Sequence, residues 1–313
     1  MPQKDPLVIL TGPTAAGKTA LSVELAKRIG GEIISADSMQ VYKGMDIGTA
    51  KVTPKETKGI RHHLIDVLEP EEDFNVFLFQ TLAKEAANDI ISRGKIPIVA
   101  GGTGFYIQAL LYGVEFTEND DNTAIREKYM KIAKDDPDLL YKELMEKDPE
   151  SCEIIHKNNI KRVVRALEYY ELTGEKISGH NAEQRAKDAE WNFAYFVLEP
   201  ERSVLYDRIN RRVDVMMENG LVDEVKALKD RGLTKDHVSM KGLGYKEILD
   251  HLDGAYDLET AVEILKRDTR HFAKRQLTWF RREKDVLWLD RAKSDEELLG
   301  EIINILTEKG IVK

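Results

Sequence analysis

The chain has 313 residues, 42% hydrophobic and 33% charged, a composition that excludes a disordered protein and suits one large domain plus an insertion, or two domains. Its single cysteine, Cys152, excludes a disulfide framework and a cysteine-based zinc site, and no apolar run reaches the roughly 20 residues that span a bilayer. A net charge of −9 argues against bulk electrostatic attachment to nucleic acid and leaves local basic patches to decide contact.

Met1 to Asp5 offers no signal-peptide h-region, so the expected compartment is the cytoplasm. Leu7-Val8-Ile9-Leu10 predicts a buried strand, and Ala20 to Ile29 a helix. Between them Gly12, Pro13, Thr14, Ala15, Ala16, Gly17, Lys18 and Thr19 fit G-x-x-x-x-G-K-[ST], the phosphate-binding P-loop. Its glycines let successive N–H groups turn inward around an anion, and the helix N-terminus adds its dipole. Lys18 supplies a point charge, and the Thr19 hydroxyl can ligate Mg²⁺. The loop does not say which polyphosphate it holds, ATP or another, nor whether a phosphoryl group moves.

Glu32 to Asp37 reads as a second strand, with Asp37 at its carboxyl end, the edge where ligands sit in open α/β sheets. His62 to Val67 predicts a third strand. Alternation would point its two adjacent histidines to opposite faces, so the pair reads as structural rather than as metal ligands. Phe74 to Ser92 predicts a long helix, Ile96 to Ala100 a strand, Gly101-Gly102-Thr103-Gly104 a tight turn, and Phe105 to Leu111 a helix. Residues 117–190 turn charge-rich and helical, an insertion between core segments 1–116 and 191–313. Phe193 to Leu198 returns the chain to the sheet. Helices follow over Arg202 to Glu218, Leu221 to Lys229 and Leu258 to Arg282, then a strand at Val286 to Leu289 and a closing helix over 294–308. The fold class is therefore α/β: a P-loop kinase-like parallel sheet flanked by helices, with a helical insertion domain.

At 100° per residue, Arg267, Arg270, His271, Lys274, Arg275, Thr278, Arg281 and Arg282 share one face of the long helix, about 140° wide. Leu265, Phe272, Ala273, Trp279 and Phe280 fall opposite. A single-sign basic stripe on an acidic protein points to nucleic-acid backbone. Lys157, Lys161, Arg162 and Arg165 form a second basic face within the insertion, and the two suggest a clamp. Arg208 and Arg212, spaced i, i+4, suit a diphosphate or pair with Asp207 or Asp214.

These segments together resemble the tRNA dimethylallyltransferase family. The resemblance is carried by the P-loop, by Ser35-Ala36-Asp37-Ser38-Met39-Gln40-Val41-Tyr42, by Asp46-Ile47-Gly48-Thr49-Ala50-Lys51 and by Gly101-Gly102-Thr103-Gly104-Phe105-Tyr106. Further on it is carried by Lys161-Arg162-Val163-Val164-Arg165-Ala166-Leu167, Gly242-Leu243-Gly244-Tyr245-Lys246-Glu247 and Ala273-Lys274-Arg275-Gln276-Leu277-Thr278-Trp279. It covers nearly the whole chain. Some relatives add a C-terminal zinc finger, which this sequence lacks, so it is most similar to the bacterial form. The resemblance implies transfer of a dimethylallyl group from its diphosphate to N6 of the adenosine 3′ to the tRNA anticodon. It implies Mg²⁺ at Thr19, a diphosphate in the P-loop and Asp37 as base. It also implies tRNA contacts at Asp37, Ser38, Met39, Gln40, Thr103, Arg126, Lys161, Arg162, Val163, Val164, Arg165, Arg270, Lys274, Arg275 and Arg281. The partners expected are the anticodon stem-loop and dimethylallyl diphosphate, with no membrane and a monomeric protein. A small-molecule P-loop kinase, a prenyltransferase acting on free adenylate and a nucleotide-gated RNA-binding module are the alternatives.

Overall fold

Buried β-rich runs alternating with helical periods dictate a parallel sheet linked by crossovers, and the computed structural model, which describes residues 4–114 and 123–313, has that architecture. The strands are β1 (Pro6–Thr11), β2 (Gly31–Ala36), β3 (His62–His63), β4 (Ile96–Gly101), β5 (Asn192–Glu199) and β6 (Val286–Asp290). All pair in parallel, in the order β3-β2-β4-β1-β5-β6. The helices around them are α1 (Lys18–Ile29), α2 (Pro54–Thr57), α3 (Val76–Ser92) and α4 (Gly104–Tyr112), then α5 (Thr123–Asp135), α6 (Pro137–Lys147), α7 (Pro149–Ile154), α8 (Ile160–Thr173) and α9 (Ile177–Ala186). After the return to the sheet come α10 (Arg202–Glu218), α11 (Leu221–Asp230), α12 (Tyr245–Leu252), α13 (Leu258–Phe280) and α14 (Asp295–Glu308).

The chain leaves β1 for β2, and β4 later slots between them. β1 therefore sits centrally between β4 and β5, with the ends of β1, β2 and β4 opening on one edge. That is the ligand edge of such sheets. Val8, Leu10, Leu21, Leu25, Phe196, Leu198, Leu289, Ile302 and Leu306 form a core joining the sheet to α1 and α14. Each such side chain contributes roughly 1.5–3 kcal/mol of burial free energy, enough to fix the sheet edge as a rigid platform.

The third strand is shorter than its apolar run predicts. Leu64 and Asp66 take left-handed backbone, φ 62° and 55°, which ends the extended ladder after His63. His63 Nε2 lies 2.8 Å from the buried Glu32 carboxylate and His62 Nδ1 lies 3.0 Å from the Ile60 carbonyl, structural engagements for both rings. Helix α13 ends at Phe280, two residues before the expected Arg282.

The chain divides into two units, Met1–Leu111 with Glu190–Lys313, and Tyr112–Ala189. The expected insertion start at 117 lies outside the described residues. The second unit has its own core of Tyr129, Leu140, Leu144, Val163, Val164 and Leu167, drawn from α5, α6 and α8. Among the described residues no helix is long and apolar enough to cross a membrane.

Candidate active site

The P-loop leaves β1 and enters α1 through Gly17, at φ 88°, a conformation that favours glycine. Ala15 is also left-handed, at φ 63°, which costs on the order of 1 kcal/mol for a residue with a Cβ. It is held there by packing on Leu205 and Ile209 of α10 and Ala273 of α13. These two helices thus cover the loop. From α10, Arg212 Nη1 reaches Thr14 Oγ1 at 3.3 Å. Lys18 Nζ donates to the Gly12 and Pro13 carbonyls at 3.0 and 2.8 Å. Burial, then the Arg212 guanidinium, push the Lys18 ammonium down to about 8, against the pull of Asp37. Burial also drives Arg212 below its usual range, with Asp37 and Glu56 opposing. Two desolvated cations beside the P-loop make a site that gains from a polyanion.

Asp37 follows β2 on the same edge. Its Oδ1 accepts the Met39 and Gln40 N–H groups at 2.9 and 3.3 Å, an Asx turn that fixes the carboxylate, while Oδ2 carries no hydrogen bond among the described residues. Thr103, at the end of β4, donates its N–H to the Ala36 carbonyl at 3.1 Å, so its backbone is locked beside Asp37. The arrangement places a carboxylate with a free oxygen next to an anion cradle. It can accept a proton from a nucleophile while charge grows on a leaving group in the loop.

The flanking segment 46–51 is pinned in place. The Glu224 carboxylate accepts the Asp46, Ile47 and Gly48 N–H groups at 2.9, 2.8 and 3.0 Å, and the Tyr245 hydroxyl at 2.6 Å. Lys51 Nζ ties Tyr42, Asp46 and Asp66 together. The Gln40 amide donates to the Thr49 and Ala50 carbonyls at 3.3 Å each. Its side chain therefore braces this segment, while Ser38 and Met39 stay half-exposed beside it.

The structure brings together the P-loop, Asp37, Thr103 and Arg212. Asp214, an alternative partner for the arginines, pairs instead with Lys266. Arg208, one turn before Arg212, is half-buried and makes no hydrogen bond or ion pair among the described residues. On α13 the buried stripe is Ala261, Leu265, Thr269, Ala273, Gln276 and Phe280. Phe272 and Trp279 are only half-buried, a correction to the expected apolar face. The basic face is also less uniform than its cation spacing suggests, because an acid next to it on α13 and groups on other elements engage parts of it. Arg267 pairs with Asp268, Arg281 with Glu199, and Arg270 hydrogen-bonds Asn210 at 2.6 Å. Lys274 and Arg275 are exposed and make no ion pair among the described residues.

In the second unit Lys161 and Arg162 are exposed at the start of α8, and Lys157 pairs with Asp138. Arg126 and Arg165 both meet the Oε2 of Glu168, a fully buried carboxylate, at 3.0 and 3.5 Å. Val163 and Val164 are 0% and 2% exposed, so they serve the core and their side chains do not reach RNA, contrary to the expectation. Helical periodicity sends them inward when Lys161, Arg162 and Arg165 face out.

Two residues of the site escape sequence reasoning. Arg291, after β6, donates Nε to the Ala16 carbonyl at 3.2 Å and Nη2 to Asp295 at 2.6 Å, walling the P-loop. Gln276, 6% exposed, accepts the Thr14 N–H and donates to the Gly102 carbonyl. Its signal was a glutamine set between Ala273 and Phe280 at core spacing.

The IPP transferase family model matches residues 40–283. The chain is 56% identical to the tRNA dimethylallyltransferase of Lachnoclostridium phytofermentans over 98% of its length and 99% of the relative's. It is 49% identical to that of Acetivibrio thermocellus over 98% and 99%. Among solved structures it is similar to the full-length tRNA isopentenylpyrophosphate transferase of Bacillus halodurans, with TM-score 0.75, 44% identity and 98% and 97% of the two chains covered. A eukaryotic dimethylallyltransferase described as acting on tRNA matches with TM-score 0.77 and 33% identity, over 92% of this chain and 74% of the other.

Proposed function

The chain belongs to the IPP transferase family, and we propose that it transfers a dimethylallyl group from dimethylallyl diphosphate to N6 of the adenosine just 3′ of a tRNA anticodon, releasing diphosphate. It does so as a monomer in the cytoplasm. The observation that carries the reading is the placement of Asp37, one oxygen free, beside a P-loop that holds the desolvated cations Lys18 and Arg212.

The adenine amine is a weak nucleophile because its lone pair is delocalised into the ring. The N6–C1 bond forms as the C1–O bond to diphosphate breaks, and that electron pair leaves on the diphosphate oxygen. The N6 proton passes to Asp37. Lys18, Arg212 and the loop N–H groups bear the leaving charge. The adenosine must be unstacked from the anticodon loop to reach this edge, past Ser38, Met39 and Thr103.

Thr19 is exposed, and its hydroxyl makes no hydrogen bond among the described residues, so it is open to ligate Mg²⁺. Among the described residues no group of three or more His, Cys, Asp or Glu could cage a metal, which suits an ion held mainly by phosphate oxygens and water. Bound there, Mg²⁺ would supply further neutralisation of diphosphate charge.

Incubating labelled dimethylallyl diphosphate with unmodified tRNA tests the reading. Label should enter the RNA and appear as a prenylated adenosine on digestion. ATP hydrolysis without RNA, with no labelled RNA, would overturn it in favour of a kinase.

For RNA binding, the exposed cations that make no ion pair among the described residues are the expected phosphate contacts. Phosphate contacts release counterions, so tRNA affinity should fall steeply with salt. Lys274→Ala and Arg162→Ala should each make the log–log salt slope shallower by about one unit, while Arg267→Ala, already neutralised by Asp268, should change it little. Titrations across a salt series decide this, and unchanged slopes for Lys274→Ala and Arg162→Ala would place tRNA elsewhere.

A further inference from the structure

Gln276 spans the two turns that the reaction must bring together. Its Oε1 accepts the Thr14 N–H at 2.9 Å, and its Nε2 donates to the Gly102 carbonyl at 2.9 Å. Thr14 belongs to the loop that cradles the diphosphate. Gly102 precedes Thr103, whose backbone is bonded to Ala36, the residue before Asp37. One buried amide thus bridges the donor loop and the acceptor side of the cleft.

The partners fix its orientation, because an N–H requires the amide oxygen and a carbonyl requires the amide nitrogen. A buried amide with both ends satisfied is rigid, whereas one with an end unmet carries a desolvation penalty. The fit is also tight, since a methyl on Gly102 would lie 2.2 Å from Gln276 Nε2. Helix α13 is also tied to α10, by Arg270–Asn210 and Lys266–Asp214.

Resting on the prenyl-transfer reading, we infer that Gln276 is a positioning residue: it sets the separation of the P-loop from the Gly102–Thr103 turn, and so of the donor carbon from the adenine amine. It touches neither reacting atom. Group transfer needs near-attack contact, and a displacement of about 1 Å can lower turnover on the order of 10²-fold without weakening binding in proportion.

Three variants probe the strut from different sides. Gln276→Met keeps the length and removes both bonds. Gln276→Glu keeps the acceptor for Thr14 but sets an oxygen against the Gly102 carbonyl. Gly102→Ala displaces Nε2 while leaving Gln276 intact. Each is expected to lower single-turnover prenyl transfer by roughly 10²-fold, with KM for both substrates and the diphosphate inhibition constant moving less than about threefold. The pair Gly102→Ala with Gln276→Met should be no slower than the worse single variant, since both break one strut. Thermal melts of the full chain identify variants that remain folded, and any one of the three that does so decides the question. Wild-type turnover in such a folded variant, additive losses in the pair, or losses confined to KM would overturn the inference. Wild-type protein that fails to prenylate tRNA would instead overturn the functional reading.

Discussion

Asp37→Asn is expected to lower prenyl-transfer turnover by roughly 10²–10⁴-fold while tRNA binds nearly as before. The substitution is chosen for what it leaves intact. An asparagine Oδ1 can still accept the Met39 and Gln40 N–H groups that hold the present turn. The change removes the one capacity the mechanism needs, an oxygen that takes a proton from N6. Asp37→Ala should be at least as slow, because it also releases the turn and lets Met39 and Gln40 move. Single-turnover rates with saturating tRNA, set beside tRNA dissociation constants, separate chemistry from binding. Asp37→Asn retaining more than about a tenth of wild-type turnover would remove Asp37 as the base.

The parts of this site that were legible in the sequence are those encoded locally. The strand before the P-loop, the helix after it and the aspartate ending the next strand are all short-range patterns, and parallel topology brings them to one edge. Arg212 was legible as a basic residue at helical spacing, although only folding chose Thr14 over Asp214 for company. What stayed hidden depends on long-range contact. Gln276 stands at core spacing between Ala273 and Phe280, but only the packing of α13 on the two glycine turns shows what its amide joins. Arg291 lies 275 positions from the carbonyl it holds. Glu224 is one acid among many until three successive N–H groups converge on it. Charge stripes mislead for the same reason. Periodicity collects the cations of α13 on one face, but it cannot count Glu199, 82 positions away, against Arg281.

Lys18→Met should weaken inhibition by diphosphate by roughly 10²–10³-fold at pH 7, the scale of removing one partner from a desolvated charge pair. Methionine keeps the stem packed and deletes only the ammonium. The wild-type protein should also reveal this group by its pH dependence. Burial and Arg212 hold the Lys18 pKa at about 8 rather than 10.5, so the fold disfavours the charged form. Between those values the unfolded chain binds more protons than the native one, and stability of the ligand-free protein should rise with pH across that window. Lys18→Met should lack that part of the rise. Diphosphate restores a partner for the ammonium and draws its pKa upward again. Affinity contributed by Lys18 should therefore be full below about pH 8 and decline above it, with binding there taking up a proton. Diphosphate ionises in the same range, so the difference between wild type and Lys18→Met, measured by calorimetry in buffers of unlike ionisation enthalpy, isolates the lysine. Identical pH profiles in the two proteins would show that Lys18 remains on the Gly12 and Pro13 carbonyls and that Arg212 and the loop N–H groups hold the diphosphate without it.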